Sequence, residues 1–143
     1  MSYEINITAH IPKPLETVFA DFSDHGKFGT IVGANIVRIR DSHTTYVNGI
    51  GSVRRISSFA VPSFEETITV FKPNHRIEYT VSKGSPVKNH LGQIEFRKEE
   101  EGTTVLYHIS FEPRTAIPGW GVMLRRLIRH PIVAGIKRYS HSV

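Results

Sequence analysis

The chain has 143 residues, no cysteine and a formal net charge of +5. This length fits one domain built on one hydrophobic core, and the missing thiols exclude disulfides, cysteine nucleophiles and thiolate-bound zinc or iron–sulfur centres. The charge is uneven: residues 1–113 carry 12 basic and 13 acidic side chains, whereas residues 114–143 carry 6 basic and none acidic.

Tyr3, Ile5, Ile7, Ala9 and Ile11 alternate with polar residues and predict a first strand. Pro12 and Pro14 end it, and Pro14 suits the first turn of a helix. Leu15, Val18, Phe19 and Phe22 then recur at helical spacing. Ser23-Asp24-His25-Gly26 is read as the close of that helix, with a second helical turn from Lys27 to Ile31 ended by Gly33. Strands are expected at Asn35–Arg40, Gly51–Phe59, Phe64–Lys72, Arg76–Ser82, Asn89–Lys98 and Thr103–Glu112. Asn48-Gly49 is a hairpin signal. Val61-Pro62-Ser63, Lys72-Pro73-Asn74-His75, the Lys83–Val87 loop and Glu99–Gly102 separate the later strands. Such regularly spaced hairpins imply an antiparallel meander.

A long amphipathic helix starts near Pro118. Trp120, Met123, Leu124, Leu127 and Ile128 share an apolar face, and Arg125, Arg126, Arg129 and His130 the other. Pro131 predicts a kink or break near His130, because a proline inside a helix costs about 3 kcal/mol. Beyond it Ile132, Val133, Ile136 and Tyr139 continue an apolar face. A curved antiparallel sheet wrapped around this helix buries it and tends to leave an apolar hollow between the two.

The order of elements, with Ile11-Pro12-Lys13-Pro14-Leu15-Glu16-Thr17-Val18-Phe19, Gly51-Ser52-Val53-Arg54-Arg55, Phe71-Lys72-Pro73-Asn74-His75-Arg76-Ile77 and Gly102-Thr103-Thr104-Val105, resembles the helix-grip superfamily of the birch pollen allergen, START lipid-transfer domains and polyketide cyclases/dehydrases (SRPBCC). The resemblance covers nearly the whole chain. It implies an α+β helix-grip fold: a curved antiparallel sheet of about seven strands around a C-terminal helix, with two short helices after the first strand. It also implies a cavity that binds or carries a hydrophobic or aromatic small molecule, such as a lipid or polyketide. The alternative it offers is a cyclase/dehydratase-type enzyme. Fold alone does not choose between them.

Strand alternation turns Glu66, Tyr79, His90 and Tyr107 toward the hollow from four consecutive strands. His90 and Glu66 are the candidates for acid–base catalysis, with Tyr79 and Tyr107 as donors to a carbonyl. Arg55, Phe64, Ile68, Ile94, Phe96, Ile109, Trp120, Leu124 and Leu127 are the further candidates for the ligand-binding wall. The same residues also fit structural roles: Glu66 paired with Arg55 or Arg76 at a sheet bend, the tyrosines as core aromatics, and His90 at a strand's frayed start. A protein–protein adaptor with a self-filled cavity is a third reading.

The eight histidines form no helical His-x-x-x-His pair, so no metal site and no cofactor are expected. No nucleophile elbow, phosphate loop or dinucleotide fingerprint occurs. Nucleic acid is not the expected partner, since the basic residues are not interleaved with exposed aromatics. Transient contact of the basic helix with a membrane surface is compatible with its pattern. The first residues lack the basic start and apolar block of a secretory signal, and no segment reaches the roughly twenty apolar residues of a membrane span, so a cytoplasmic location is expected.

Overall fold

The computed structural model describes residues 2–58 and 62–142. β1 (Tyr3–Ile11) leads into α1 (Leu15–Ser23) and α2 (His25–Val32). There follow β2 (Asn35–Arg40), β3 (Val53–Ser57), β4 (Phe64–Lys72), β5 (Arg76–Lys83), β6 (Val87–Glu99), β7 (Gly102–Pro113) and α3 (Trp120–Ser140). The seven strands form one antiparallel sheet in the order β1-β7-β6-β5-β4-β3-β2, and α3 packs against β1, β7 and α2. This is the helix-grip arrangement of an α+β fold. Phe59 and Val61, placed from sequence at the end of the third strand and the start of its loop, lie outside the described residues.

The α1–α2 junction departs from the expected helix end. Asp24 takes extended backbone between the two helices and its carboxylate accepts the Lys27 N–H at 3.0 Å, capping α2. His25 therefore opens a helix and is buried. Gly33, at φ 75°, closes α2 in the left-handed conformation. Asn48-Gly49 lies in a turn, with Gly49 N–H on the Tyr46 carbonyl at 2.8 Å. That turn sits inside the long β2–β3 connection, which the Ser42 hydroxyl braces against the Ile50 carbonyl at 2.6 Å, so it is not a two-residue hairpin.

The inward row of the sheet follows the expected alternation along β1, β5, β6 and β7: Ile5, Ile7 and Ile11, then Ile77 and Tyr79, Ile94 and Phe96, and Val105, Tyr107, Ile109 and Phe111 are buried. In β4 a register shift between Ile68 and Val70 changes the parity. Phe71, not Val70, then reaches the core, meeting the Phe19 ring edge-on at 5.4 Å.

α3 runs unbroken through Pro131. The proline removes the hydrogen bond to the carbonyl of Leu127, a residue on the water-facing side of the helix. Burial of Ile132 and Ile136 just beyond it, about 1.5–3 kcal/mol for each such side chain, offsets the cost and holds the second half in line. Gly135 allows a close approach to α2: a Cβ there would stand 1.7 Å from the Ile31 carbonyl oxygen. The apolar face itself is split. Leu124 is buried and Trp120 and Ile128 are half-buried against the core, but Met123 is 53% and Leu127 42% exposed.

Candidate functional site

Between α2, α3 and the inner face of the sheet lies a cavity of about 180 Å³. Phe64, Glu66, Tyr79, His90, Tyr107, Ile109, Leu124 and Leu127 line it, as the strand and helix patterns anticipate. Phe28, Ile36, Ile56, Val87, Ile128, Pro131 and Ile132 complete much of its apolar wall. Ile68, Ile94 and Phe96 are buried but lie outside the lining. They belong to the packed core, where Phe96 meets Phe19 and Phe22 edge-on at 5.1 and 5.7 Å. Trp120 packs on the core at the start of α3, also outside the cavity.

Arg55, expected in the ligand-binding wall, does not line the cavity. It is exposed and pairs with Glu65 at 3.6 Å. The inward arginine is its neighbour Arg54, 2% exposed. The reason lies in the pairing with β2: Arg54 faces Arg38, and a register shift then sets Val53 opposite Arg40. Val53 is buried at the irregular end of β3, while Arg54 and Ile56 define the true inward row.

Arg54 directs Nε and Nη2 to Oε1 of Glu66, at 2.9 and 2.8 Å. Its guanidinium lies over the rings of Tyr79 and Phe28, 4.6 and 5.1 Å from their centroids. Nη1 is 3.5 Å from Nδ1 of His25, and Nε2 of His25 is 3.4 Å from the Ser52 hydroxyl. Burial pushes the Glu66 carboxyl above its ordinary pKa, and the charge and hydrogen bonds of Arg54 pull against that rise. His25 is lowered to about 3, first by burial and then by Arg54. Both arginine contacts fall on Oε1 of Glu66.

Arg54, His25 and Ser52 are the members of this cluster that strand alternation did not single out. Two signals pointed to them: Arg54 shares parity with Ile56, and Asp24 before His25 is a strong helix-capping residue.

Tyr79 and Tyr107 donate and accept between their hydroxyls. Gly92 makes this contact attainable. A Cβ on Gly92 would lie 2.3 Å from Cζ of Tyr79, so the ring crosses β6 only because that position is bare. Burial pushes both phenols above their ordinary pKa.

His90 sits where the β5–β6 ladder opens. Cα pairing ends at Tyr79 opposite Gly92, the β6–β7 register shifts between Lys88 and Leu91, and Asn89 adopts φ 50°. The freed backbone groups are taken up locally. The Thr80 hydroxyl donates to the His90 carbonyl at 2.6 Å, and the Val81 N–H donates to Nδ1 of His90 at 3.2 Å. Burial, followed by the charge of Arg54, lowers the His90 pKa to about 4, so the ring is neutral at neutral pH.

A family model described as polyketide cyclase / dehydrase and lipid transport matches residues 3–138. The chain belongs to this family. Among solved structures, a norcoclaurine synthase point mutant of Thalictrum flavum in complex with a transition-state analogue shares 12% identity at a TM-score of 0.69, covering 98% of this chain and 92% of its own. Ara h 8.0201 shares 12% identity at 0.68, covering 98% of each chain. DR_A0006 from Deinococcus radiodurans shares 16% identity at 0.63, covering 96% of this chain and 94% of its own. At these identities the likeness shows the fold. No curated protein matches the sequence. Membership of the polyketide cyclase/dehydrase and lipid transport family supports a hydrophobic ligand-binding fold.

Proposed function

We propose that the protein binds a small hydrophobic or aromatic molecule in the cavity between α3 and the sheet. One observation carries this reading: a largely apolar hollow whose main polar side chains already have partners within the protein. Glu66 is engaged by Arg54, and Tyr79 and Tyr107 engage each other. His90 as a general base would need a free lone pair on its ring, whereas its Nδ1 accepts from the Val81 N–H. At about 180 Å³ the cavity is comparable with a dry apolar cavity of roughly 150 Å³ that holds a benzene. A single substituted ring or a short acyl segment is the matching guest.

The exposed strip of α3 supports a route of entry. Met123 and Leu127 stand exposed on the same outer side as Arg126 and His130, and Leu127 also lines the cavity. Apolar and basic residues together suit a transient contact with an anionic lipid surface.

The binding reading is tested by titrating methyl-labelled protein with a ring-sized neutral aromatic. The Leu124 and Ile132 methyl resonances shift saturably, and Ile128→Phe, which fills the hollow, abolishes the shift. Shifts confined to surface methyls, or unchanged by Ile128→Phe, would reject it. Turnover of a carbonyl substrate lost in Glu66→Gln with binding retained would favour the enzymatic alternative.

A further inference from the structure

We infer that His90 is a fixed hydrogen-bond donor of the cavity, and that the guest is a neutral ring-sized molecule carrying a carbonyl-type acceptor oxygen. The inference rests on the binding reading above and specifies its ligand class.

A neutral imidazole has one N–H and one lone pair. The Val81 N–H occupies the lone pair of Nδ1 at 3.2 Å, which places the ring proton on Nε2. Nε2 has no partner among the described residues, and the side chain lines the cavity. The backbone is rebuilt to hold this orientation. The β5–β6 ladder stops at Tyr79 and Gly92, a register shift spans Lys88 to Leu91, and Thr80 ties down the His90 carbonyl. Bulges beside sites re-aim side chains in this way. The two phenols facing the same hollow bond each other, which spends one of their two hydroxyl protons, and the His90 side chain lines the cavity beside them.

Nε2 is not sealed away from the hollow, His90 being half-buried, so a guest that displaces water from it must replace the lost hydrogen bond, and an acceptor oxygen does so. A carboxylate guest would lose its hydration among Ile, Leu, Val and Phe side chains beside Glu66, which selects for neutral molecules.

Two measurements test this. Long-range ¹H–¹⁵N correlation at pH 7 reads the His90 tautomer directly in the wild-type protein. Nδ1 unprotonated and Nε2 protonated is the expected result; an Nδ1–H tautomer or an averaged mixture overturns the inference. The second compares acetophenone with α-methylstyrene, which replaces the carbonyl oxygen by CH₂ in nearly the same shape. Acetophenone binds roughly 2- to 12-fold more tightly, the span of one ordinary hydrogen bond, and it alone moves the Nε2 resonance. His90→Phe erases the preference and His90→Gln keeps part of it. Equal binding of the two probes, or a preference unchanged in His90→Phe, overturns the donor role and leaves cavity binding intact. Binding of neither probe overturns both.

Discussion

Replacing Arg54 by methionine separates the charge of the buried pair from its volume. Arg54 is 2% and Glu66 7% exposed, and two guanidinium nitrogens contact one carboxylate oxygen at 2.8 and 2.9 Å. Removing one partner of such a pair leaves a buried charge uncompensated and costs about 3–5 kcal/mol. Loss of the contacts over Tyr79 and Phe28 adds to this, at roughly 0.5–2 kcal/mol for each desolvated cation–π contact. Domains of this size hold only about 5–15 kcal/mol in total. With a urea slope of about 2 kcal/mol per molar, the Arg54→Met midpoint falls by at least roughly 2 M. The double variant Arg54→Met/Glu66→Leu removes both charges and recovers most of that loss, because apolar replacement of a buried pair is often neutral or better. Glu66 in the single variant has nothing to oppose its desolvation, so its folded pKa rises further above the unfolded value. Its contribution is then retained at low pH and lost as pH rises through the folded pKa, so Arg54→Met is most destabilised near neutrality. A single-variant loss under about 1 kcal/mol, with no coupling in the cycle, would refute the view that this pair is charged and buried.

Gly92→Ala forces the Tyr79 ring off β6, since its Cβ would sit 2.3 Å from Cζ. A loss of about 1–3 kcal/mol, together with weakened guest binding, is expected in denaturation and titration experiments; an unperturbed Tyr79 ring in the variant's NMR spectrum would contradict the packing described. His25 and His90 have folded pKa values of about 3 and about 4, below the ordinary 6.5. Between those values and 6.5 the unfolded chain holds more protons, so stability is full above pH 6.5 and falls as pH drops. From pH 7 to 5 the loss approaches roughly 4 kcal/mol at 1.36 kcal/mol per unit and group, partly offset by Glu66, whose raised pKa acts in the opposite sense; a flat profile, or one unaltered in His25→Gln, would count against it. Vesicles rich in anionic lipid bind the protein in a salt-sensitive manner, and Arg126→Glu/Arg129→Glu weakens this at least about tenfold, given roughly 1 kcal/mol per basic residue near the surface; equal binding to neutral vesicles would exclude the electrostatic contact.

The sheet was legible in the sequence wherever a strand keeps strict alternation between water and core. Ile5, Ile7 and Ile11, or Val105, Tyr107, Ile109 and Phe111, state their face without help from tertiary structure. Legibility fails at the irregularities. Register shifts near Arg38–Arg40 and Ile68–Val70 change which residue points inward: Arg54 rather than the expected Arg55 faces the core at the first, and Phe71 packs on it at the second. His25 was missed because Asp24 was read as a terminator when it caps the next helix. Pro131 carries a strong local signal for a break, and tertiary packing of Ile132, Gly135 and Ile136 overrides it. Glu66, Tyr79, His90 and Tyr107 do line one cavity, yet the Tyr79–Tyr107 bond and the Val81 contact of His90 could not be read from parity. It depends on Gly92 being bare and on the opened ladder beside His90.

Native mass spectrometry of freshly purified protein tests the cavity's role most directly. The wild-type chain is expected to retain one small neutral molecule of about one ring or a short acyl segment, and Ile128→Phe is expected to carry none. Wild-type protein that carries nothing, and that retains no added ring-sized aromatic when Ile128→Phe behaves identically, would contradict the ligand-binding account.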